Sequence, residues 1–338
     1  MILFVKLSDS SFIQLDEKIL QEQFRVKTFF FGKIKGFSFL LRTIQLKFWL
    51  LRNIFSSKII YLWFADYYAL LPLLFAKMFH RKSVLIIGGY DAMKVHEYSY
   101  GAHNKRTSSI VVKLCCRLAS KILVVSDFTF QNLKQNTGLK FDHKTEILYN
   151  GVDTQFFQYT SKIAKEKLVL TVCGYQKISS AYIKGMDHFI ELAKLMKDYK
   201  FIVIGLSGEA LKFFSDKTPP NLEFIEKLPA EKLKTYYQRS MFIAQLSRVE
   251  SFGMALSEGM SCECIPVTFS GTATSEIVDQ ECGLIIPKGN VEQAQISMEW
   301  AAENFEKFGS NARKKIQTHF SMEIRKKKLV EIISHFQI

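Results

Sequence analysis

The sequence contains few of the residues that interrupt regular structure. Of its 338 residues only 6 are proline and 17 are glycine, whereas 48% are hydrophobic. Disordered, collagen-like and low-complexity chains have more proline or glycine and less apolar material, so these classes are excluded. Because a chain of this length exceeds what one hydrophobic core usually holds, we expect two globular domains.

Cysteine is also scarce, and no Cys-x-x-Cys pair occurs. The six cysteines lie mostly inside apolar runs, which predicts buried reduced thiols rather than disulfides or metal ligands. They are Cys115, Cys116, Cys173, Cys262, Cys264 and Cys282. Reduced thiols are typical of the cytoplasm. The opening run ILFVKL has no basic region before it and no cleavage site, so we do not expect a secretion signal.

No uninterrupted apolar run is long enough to span a membrane. The longest candidate, residues 60–79, is broken by Asp66, Pro72 and Lys77. A spanning helix needs about 20 apolar residues with few or no charges. The pattern instead predicts a strand, a turn at Asp66 and a buried helix.

Acidic residues are fewer than basic ones. Lysine and arginine number 46 against 32 aspartates and glutamates, which gives a formal net charge of +14. Such a surface attracts nucleic acid, anionic lipid or phosphorylated ligands. Zinc ligands, an RNA-binding aromatic pair and a recognition helix are all missing from the sequence, so we expect no nucleic-acid partner. Membrane or phosphate is favoured.

The segment between Lys33 and Lys58 contains six basic residues and no acidic one. If residues 37–54 form a helix, that helix is apolar around most of its circumference, with Trp49 and cations along it. An interfacial helix on an anionic membrane has this composition. A buried helix whose Lys and Arg tips reach water has it as well, and both interpretations stay open.

Short β-rich runs alternate with stretches of helical length through both halves of the chain. This alternation predicts an α/β fold with parallel sheets in two Rossmann-like units. We expect an N-terminal domain over residues 1–155, a C-terminal domain over 156–320, and a basic helix at 321–338 that packs back on the first domain. The short connection between the domains predicts a ligand cleft at the strand carboxyl ends.

Residues 246–287 contain the strongest chemical signal, with Glu250 and Glu258 near a strand-to-helix turn. The N–H groups that begin a helix attract anions, so a diphosphate can bind at Ser251, Phe252 and Gly253. Glu258 can accept hydrogen bonds from a ribose, and Glu250 can meet a sugar. Alternatively, Glu250 caps the helix and Glu258 is merely a solvated helix residue.

The run ESFGMALSE, followed by GMSCECIPV and GTATSEIV, resembles the ExFGxxxxE signature of the retaining family 4 glycosyltransferases. The NGVD at 150–153, the Lys184-Gly185 pair and VLIIGGYDAMKVHEYSYGAHN at 84–104 resemble other landmarks of the family. The likeness covers nearly all of the chain. One departure is Tyr175, which stands where the family usually has an arginine.

The resemblance implies the glycosyltransferase-B (GT-B) architecture, in which two Rossmann-like domains face each other across an interdomain cleft. The N-terminal domain would bind the acceptor and the C-terminal domain the nucleotide. Glu250 would contact the transferred sugar, Glu258 the ribose, and backbone near Leu228 the base. The full donor set is Gly174, Lys177, Lys184, Leu228, Ser251, Phe252, Gly253, Met254, Ala255 and Glu258.

On the acceptor side, Gly89, Tyr90 and Asp91 follow a predicted strand, and the glycine allows a sharp turn. Asp91 is a candidate catalytic residue that would contact the acceptor hydroxyl. The alternative is an aspartate that stabilises its own turn.

Enzymes of the family keep the anomeric configuration, so the resemblance implies that Glu250 stabilises and positions the sugar rather than attacking it. No Asp-x-Asp motif is present to hold a metal, and we expect neither metal nor cofactor. Lys184, Lys177 and the helix start would balance the phosphate charge.

These features predict transfer of a sugar from a nucleoside diphosphate to a glycan or lipid-linked acceptor, in surface polysaccharide or glycolipid synthesis. The site would lie in the cytoplasm at the inner face of the cell membrane. One alternative is an epimerase or phosphorylase on the same fold. Another is a basic peripheral membrane or nucleic-acid-binding protein in which the glutamate pair is incidental.

Overall fold

The computed structural model describes residues 1–336 and consists of two compact units. Unit 1 contains Met1–Tyr149 together with the chain from Arg325 onward, and unit 2 contains Asn150–Ile324. Each unit has one six-stranded parallel sheet with helices around it, which confirms the predicted α/β class and the two Rossmann-like units. The divisions lie at 149/150 and 324/325 rather than at the predicted 155/156 and 320/321. Residues 337–338 of the predicted last segment lie outside the described residues.

Unit 1 is built on a sheet whose strands are mostly apolar. The strands are β1 (Ile2–Lys6), β2 (Val26–Phe30), β3 (Ile59–Trp63), β4 (Lys82–Ile87), β5 (Lys121–Val124) and β6 (Thr145–Ile147). The helices are α1 (Ser11–Gln23), α2 (Phe37–Asn53), α3 (Tyr67–Met78), α4 (Arg106–Leu118) and α5 (Asp127–Thr137). Every residue of β3 is buried, as expected for a parallel strand covered on both faces.

Unit 2 repeats the arrangement. Its strands are β7 (Glu166–Val172), β8 (Lys200–Ile204), β9 (Leu222–Ile225), β10 (Ser240–Gln245), β11 (Ile265–Phe269) and β12 (Leu284–Ile286). Its helices are α6 (Ile178–Ile183), α7 (Met186–Leu195), α8 (Gly208–Ser215), α9 (Ala230–Arg239), α10 (Met254–Ser261), α11 (Thr274–Ile277), α12 (Val291–Glu303) and α13 (Phe305–His319). Helices α12 and α13 follow each other closely and are divided at Asn304.

The strand order places one switch point in each sheet. The order is β2-β1-β3-β4-β5-β6 in unit 1 and β12-β11-β10-β7-β8-β9 in unit 2. In unit 1, β2 lies on one side of β1 and the later strands, from β3 onward, lie on the other side. In unit 2, β8 and β9 lie on one side of β7, and β10 to β12 lie on the other side. Open α/β sheets bind ligands beyond the carboxyl ends of the two strands at such a point.

The prediction for residues 60–79 is confirmed. Strand β3 is followed by a turn at Asp66, whose side chain accepts a hydrogen bond from the N–H of Tyr67 at 2.7 Å, and α3 begins there. Six residues of α3 are buried. Among the helices of residues 1–336, none combines the length and apolar composition that crossing a bilayer requires.

The chain returns to unit 1 through helix α14 (Met322–His335). Leu329, Ile332 and Ile333 pack with the core of the first sheet. Arg325 is buried and forms two bonds with the carboxylate of Asp16, at 2.7 and 2.8 Å, while its third nitrogen donates to the carbonyls of Leu148 and Tyr149. A buried ion pair is tolerated when further hydrogen bonds satisfy its charges, and the bonds from Arg325 to the two carbonyls do so here.

The prediction of buried, reduced cysteines is confirmed, because all six are free and buried. Burial raises the pKa of the Cys173 thiol to about 12, so at neutral pH it is protonated and unreactive.

Candidate functional site

The two loops at the switch point of unit 2 contain most of the predicted donor residues. The first follows β7 and, after the short helix α6, reaches Lys184 and Gly185. The second follows β10 and leads through Glu250 to α10. Strands β7 and β10 are hydrogen-bonded neighbours, so the topology brings together two segments that are 66 positions apart in the chain.

Glu250 is the best-connected carboxylate at this point. One of its oxygens, Oε2, accepts a bond from Lys184 Nζ at 2.7 Å and another from the amide nitrogen of Gln245. Its second oxygen accepts the backbone N–H of Ser251 at 3.0 Å. Only 11% of the Glu250 side chain and 16% of the Lys184 side chain are exposed. Glu250 is thus held in a fixed orientation by its neighbours.

Gly185 allows the first loop to approach the second. Its φ is +72°, and a Cβ at this position would lie 1.8 Å from the carbonyl oxygen of Leu246. No side chain fits there without moving the backbone. Position 185 therefore requires glycine for two reasons, the positive φ and the close contact with Leu246. The close approach fixes Lys184 beside the loop that contains Glu250.

Arg248 holds the same two loops together, and sequence reasoning did not find it. Its guanidinium bonds both oxygens of Asp187, at 2.7 and 2.5 Å, and the carbonyl of Tyr182. Burial opposes ionisation of Asp187, yet the bonds with Arg248 leave the pKa of that carboxyl below its ordinary value. A bidentate pair of this kind is geometrically specific. Nothing in the local pattern of either residue signals this partner.

Helix α10 begins at this point. Gly253 precedes it with φ +103°, and a Cβ there would lie 2.8 Å from a methyl carbon of Thr274. The first N–H groups of a helix have no acceptor within the helix, and the helix dipole adds partial positive charge. The amides of Met254 and Ala255 therefore form a suitable anion site. The strand-to-helix turn predicted near Glu250 is present, and the helix begins at Met254.

Glu258 lies one turn further along α10. Its carboxylate accepts the hydroxyl hydrogen of the buried Tyr237 at 3.0 Å. Burial raises the pKa of Glu258 to about 7, although the Tyr237 bond opposes the shift. The alternative of a solvated helix residue is wrong, because a desolvated carboxyl bonded to a buried tyrosine is an unusual environment for a glutamate. Such perturbed groups concentrate at functional sites.

The remaining predicted donor residues lie in connections between elements and are more exposed. Gly174 and Lys177 are exposed in the connection between β7 and α6, and Leu228 is half-buried between β9 and α9. Tyr175, in place of the arginine usual in the resembling family, lies with its ring 5.7 Å from Lys184 Nζ. An aromatic face stabilises a nearby cation but supplies no charge of its own.

In unit 1, Asp91 lines a cavity of about 220 Å³ together with Tyr90, beyond the carboxyl end of β4. Asp91 is buried, and its two oxygens accept the backbone N–H groups of Ala65 at 3.0 Å and Gly89 at 2.8 Å. Burial raises the pKa of Asp91 to about 6, against the effect of these bonds. The backbone bonds are those of a turn-stabilising aspartate, and the place in the cavity wall is that of an acceptor-binding one, so both interpretations of Asp91 stand. Tyr90, by contrast, is half exposed and packs edge-on against Tyr100.

The fold is shared with solved glycosyltransferase-type structures. The sucrose-phosphate synthase of Thermosynechococcus elongatus superimposes with a TM-score of 0.79 at 12% identity, covering 99% of this chain and 98% of that one. HepE of Anabaena, solved in complex with UDP and glucose, superimposes with a TM-score of 0.76 at 14% identity, covering 99% of both chains. At these identities the likeness establishes the fold, which is of the GT-B type.

Sequence comparison identifies the second unit more closely. Residues 157–315, which lie in unit 2, match the model of the family described as Glycosyl transferases group 1. An uncharacterized glycosyltransferase of Methanocaldococcus jannaschii is 24% identical over 179 residues, which are 51% of this chain and 46% of that protein. The match therefore spans about half of the relative's length. The matched family segment contains all the predicted donor residues.

Proposed function

We propose that the protein is a retaining glycosyltransferase that moves a sugar from a nucleoside diphosphate to a glycan or lipid-linked acceptor, without a metal ion. One observation carries the proposal. At the switch point of unit 2, a lysine–glutamate pair, the start of α10 and a desolvated glutamate on the same helix lie on adjoining segments of the region that matches the Glycosyl transferases group 1 model.

In this proposal the diphosphate binds at the start of α10, where the amides of Met254 and Ala255 and the positive end of the helix dipole attract it. Lys184 supplies the formal positive charge. An ammonium group has three N–H donors, so it can hold Glu250 and a phosphate oxygen together. Lys177, exposed on the neighbouring connection, adds long-range attraction.

During transfer, the bond between the anomeric carbon and the phosphate oxygen breaks, and a bond to the acceptor oxygen forms on the same face. The acceptor proton passes to the departing phosphate oxygen. Positive charge develops on the sugar ring, and the carboxylate of Glu250 stabilises it. Because Lys184, Gln245 and Ser251 already orient that carboxylate, little reorganisation is needed when the charge develops.

The nucleoside would be held by Glu258, which accepts hydrogen bonds from the ribose, and by backbone near Leu228 at the base. HepE was solved with UDP and glucose, so uridine diphosphate sugars are the first donors to test. The acceptor would be part of surface polysaccharide or glycolipid synthesis at the cytoplasmic face of the membrane. The basic segment between Lys33 and Lys58 in unit 1 supports this location.

The direct test is a panel of sugar nucleotides assayed with and without glycan or lipid-linked acceptors. We expect release of nucleoside diphosphate that depends on an acceptor, a product with the donor's anomeric configuration by NMR, and an unchanged rate with EDTA. Conversion of the donor without acceptor would indicate an epimerase, and a requirement for inorganic phosphate would indicate a phosphorylase. Loss of activity with EDTA would contradict the metal-free mechanism.

The role of Glu250 gives a sharper prediction. Glu250→Gln keeps the shape of the side chain but removes its charge, so we expect kcat to fall by about 10²–10³. Donor affinity, measured by calorimetry, should change much less, because the charge acts on the transition state. Glu299→Gln, an exposed residue of α12, is the matched control and should leave both constants unchanged. Equal kcat in the two variants would disprove the role.

A further inference from the structure

Helix α2 turns an apolar face to the outside. Its exposed residues recur at the spacing of one helix face, whereas Leu46, Leu50 and Asn53 are buried on the opposite side. We call the exposed set the apolar stripe; it consists of Phe37, Leu40, Leu41, Ile44, Phe48 and Leu51. Phe37 is 73% and Phe48 65% exposed. One face of α2 is therefore buried, as the buried-helix interpretation expects, and the opposite face is exposed.

The stripe does not reflect a general excess of exposed apolar residues. Among the described residues of unit 2, the exposed large apolar side chains are four, Leu195, Ile285, Ile296 and Trp300. In unit 1, helix α3 packs beside α2 and exposes Leu74 and Met78 as well. Exposed apolar side chains that follow one helix face mark an interaction site.

Charge indicates what covers the stripe. Lys47 and Arg52 are exposed on the flanks of α2, and no acidic residue occurs between Lys33 and Lys58. A second copy in a two-fold contact would bring the same cations together, because an isologous interface uses one patch on both subunits. An anionic bilayer surface instead attracts these cations while its acyl chains receive the stripe. Trp49 contributes less to this exposed surface than its place in the sequence implies, because its ring packs on Phe29.

A cavity lies at the N-terminal end of the stripe, within unit 1. Its volume is about 590 Å³, and its wall includes Phe31, Phe39 and Tyr68. Lys33 and Lys35 border it from the loop before α2. Gly36, at the start of α2, has φ +61° and turns the chain from this loop into the helix. Apolar walls and two ammonium groups thus meet where the stripe begins.

A second cavity, of about 220 Å³, continues from the first. The two share Leu7, Lys33 and Asp66 as wall residues, and the second also reaches Tyr90. Both lie beyond the carboxyl ends of β1 and β3, at the switch point of the first sheet. A continuous trough therefore runs from the stripe to the turn that the sequence assigned to the acceptor. Asp66 adds a carboxylate, which suits a hydroxyl group rather than a phosphate.

From this arrangement we infer that the trough binds the headgroup of an anionic, phosphate-bearing membrane lipid while the apolar stripe of α2 lies in the bilayer. Lys33 and Lys35 contact the phosphate, Asp66 accepts a bond from a headgroup hydroxyl, and the acyl chains follow the stripe. The inference deepens the proposed function and rests on it only in making this lipid the acceptor. Lipid binding itself is independent of donor chemistry.

The first experiment measures co-flotation of the full chain with vesicles. We expect binding to phosphatidylcholine vesicles that contain phosphatidylglycerol, and much weaker binding to phosphatidylcholine alone. The double variant Ile44→Ser/Phe48→Ser should lose about tenfold or more in vesicle affinity, since two exposed apolar side chains no longer enter the bilayer. The matched control is Ile296→Ser/Trp300→Ser on α12, which should bind like the unmodified chain.

Self-association is the competing outcome. If the chain forms a dimer in gel filtration that Ile44→Ser/Phe48→Ser dissociates, and if it binds no vesicles, the stripe is an interface between copies and the inference is wrong. Equal binding to neutral and anionic vesicles would also overturn it, because the flanking cations would then have no role.

The second experiment separates the cavity from the surface. A short-chain, water-soluble phosphatidic acid is titrated into the protein by calorimetry. Lys33→Gln/Lys35→Gln should weaken binding by about tenfold or more, from the loss of two cations. Lys197→Gln, an exposed lysine of unit 2, and Ile44→Ser/Phe48→Ser should bind nearly as before. If the Lys33/Lys35 variant binds normally, or if inorganic phosphate binds as tightly as the lipid, the headgroup site is refuted.

These measurements need no sugar donor, so they distinguish the two proposals. If the lipid binds but no nucleoside diphosphate is ever released, the membrane site stands and the glycosyltransferase proposal fails. If sugar transfer occurs to a soluble glycan with no lipid bound, the inference fails and the proposed function stands.

Discussion

At the scale of single residues, Glu250 and Glu258 have different environments although they lie only eight positions apart in the chain. Glu250 has an ammonium partner at 2.7 Å, whereas Glu258 accepts a bond from the Tyr237 hydroxyl, and the pKa of Glu258 is raised to about 7. Two carboxyl groups in different environments can take different roles in one site. The sequence motif contains both residues but gives no sign of this difference.

The raised pKa predicts a pH-dependent donor affinity. If Glu258 accepts bonds from the ribose, its ionised form binds best, so affinity for a sugar nucleotide should rise as pH increases through about 7. A nucleoside diphosphate sugar is the suitable probe, because its diester-like phosphates do not titrate there. Glu258→Gln should bind more weakly and show no such step. Calorimetry between pH 5.5 and 8.5, on the order of one unit either side of the pKa, provides the measurement.

Stability should respond in the opposite direction. The folded chain holds the Glu258 proton more tightly than the unfolded chain does, so this residue makes folding less favourable as pH rises from its ordinary value of 4.5 to about 7. Glu258→Gln should therefore melt higher than the unmodified chain at pH 8 and not at pH 4. The same melting difference at both pH values would mean that desolvation of the charge is not its cause.

At the scale of elements, the connection from β7 to α7 is fixed by one glycine. Gly185 combines a positive φ with backbone in the position of its absent Cβ. Sequence reasoning identified the Lys-Gly pair through resemblance and assigned a role to the lysine. The structure adds that the glycine determines where the lysine lies, because only its backbone fits against Leu246.

This argument predicts that Gly185→Ala is costly. Gly289 also has a positive φ, +84°, but the nearest atom to its Cβ would be 3.9 Å away. Gly289→Ala should cost about 1 kcal/mol from backbone strain alone. Gly185→Ala should cost about 1–3 kcal/mol more, from steric overlap, and should weaken donor binding. Denaturant unfolding and calorimetry give the two values, and equal costs would show that the overlap relaxes freely.

Helix α2 shows the limit of pattern reading at this scale. Its composition is apolar around most of the circumference, and the sequence left burial and membrane contact as alternatives. Both faces of α2 are apolar, but one is buried against unit 1 and the other is exposed. Periodicity cannot distinguish them, since the two faces have similar residues.

At the scale of the whole molecule, the chain begins and ends in unit 1. The ion pair between Asp16 and Arg325 joins residues 309 positions apart, and Tyr61 and Trp63 also donate to Asp16. The predicted return of the last helix to the first domain agrees with this contact. The buried pair itself could not be predicted, because neither residue has a distinctive neighbour in sequence.

The pair predicts a large effect from a single substitution. Arg325→Met leaves Asp16 as a buried charge without its partner, which should cost about 3–5 kcal/mol in denaturant unfolding of unit 1. Lys326→Met is the matched control, because Lys326 forms a surface ion pair with Glu22 and its loss should change little. The double variant Asp16→Asn/Arg325→Met should recover part of the loss. A small effect of Arg325→Met alone would contradict the argument.

The sequence by itself determined the local and repetitive features of this protein. Apolar strands alternate with helices, which decides the parallel sheets, and the run around Glu250 and Glu258 predicts a donor side in unit 2. The tertiary structure alone decided which side chains meet. Lys184 bonds Glu250 across 66 positions of the chain, and Arg248 bonds Asp187 across 61. Asp91 accepts a hydrogen bond from the backbone N–H of Ala65. Periodicity reports burial along one element, whereas these contacts depend on strand order, which brings distant loops to the same sheet edge.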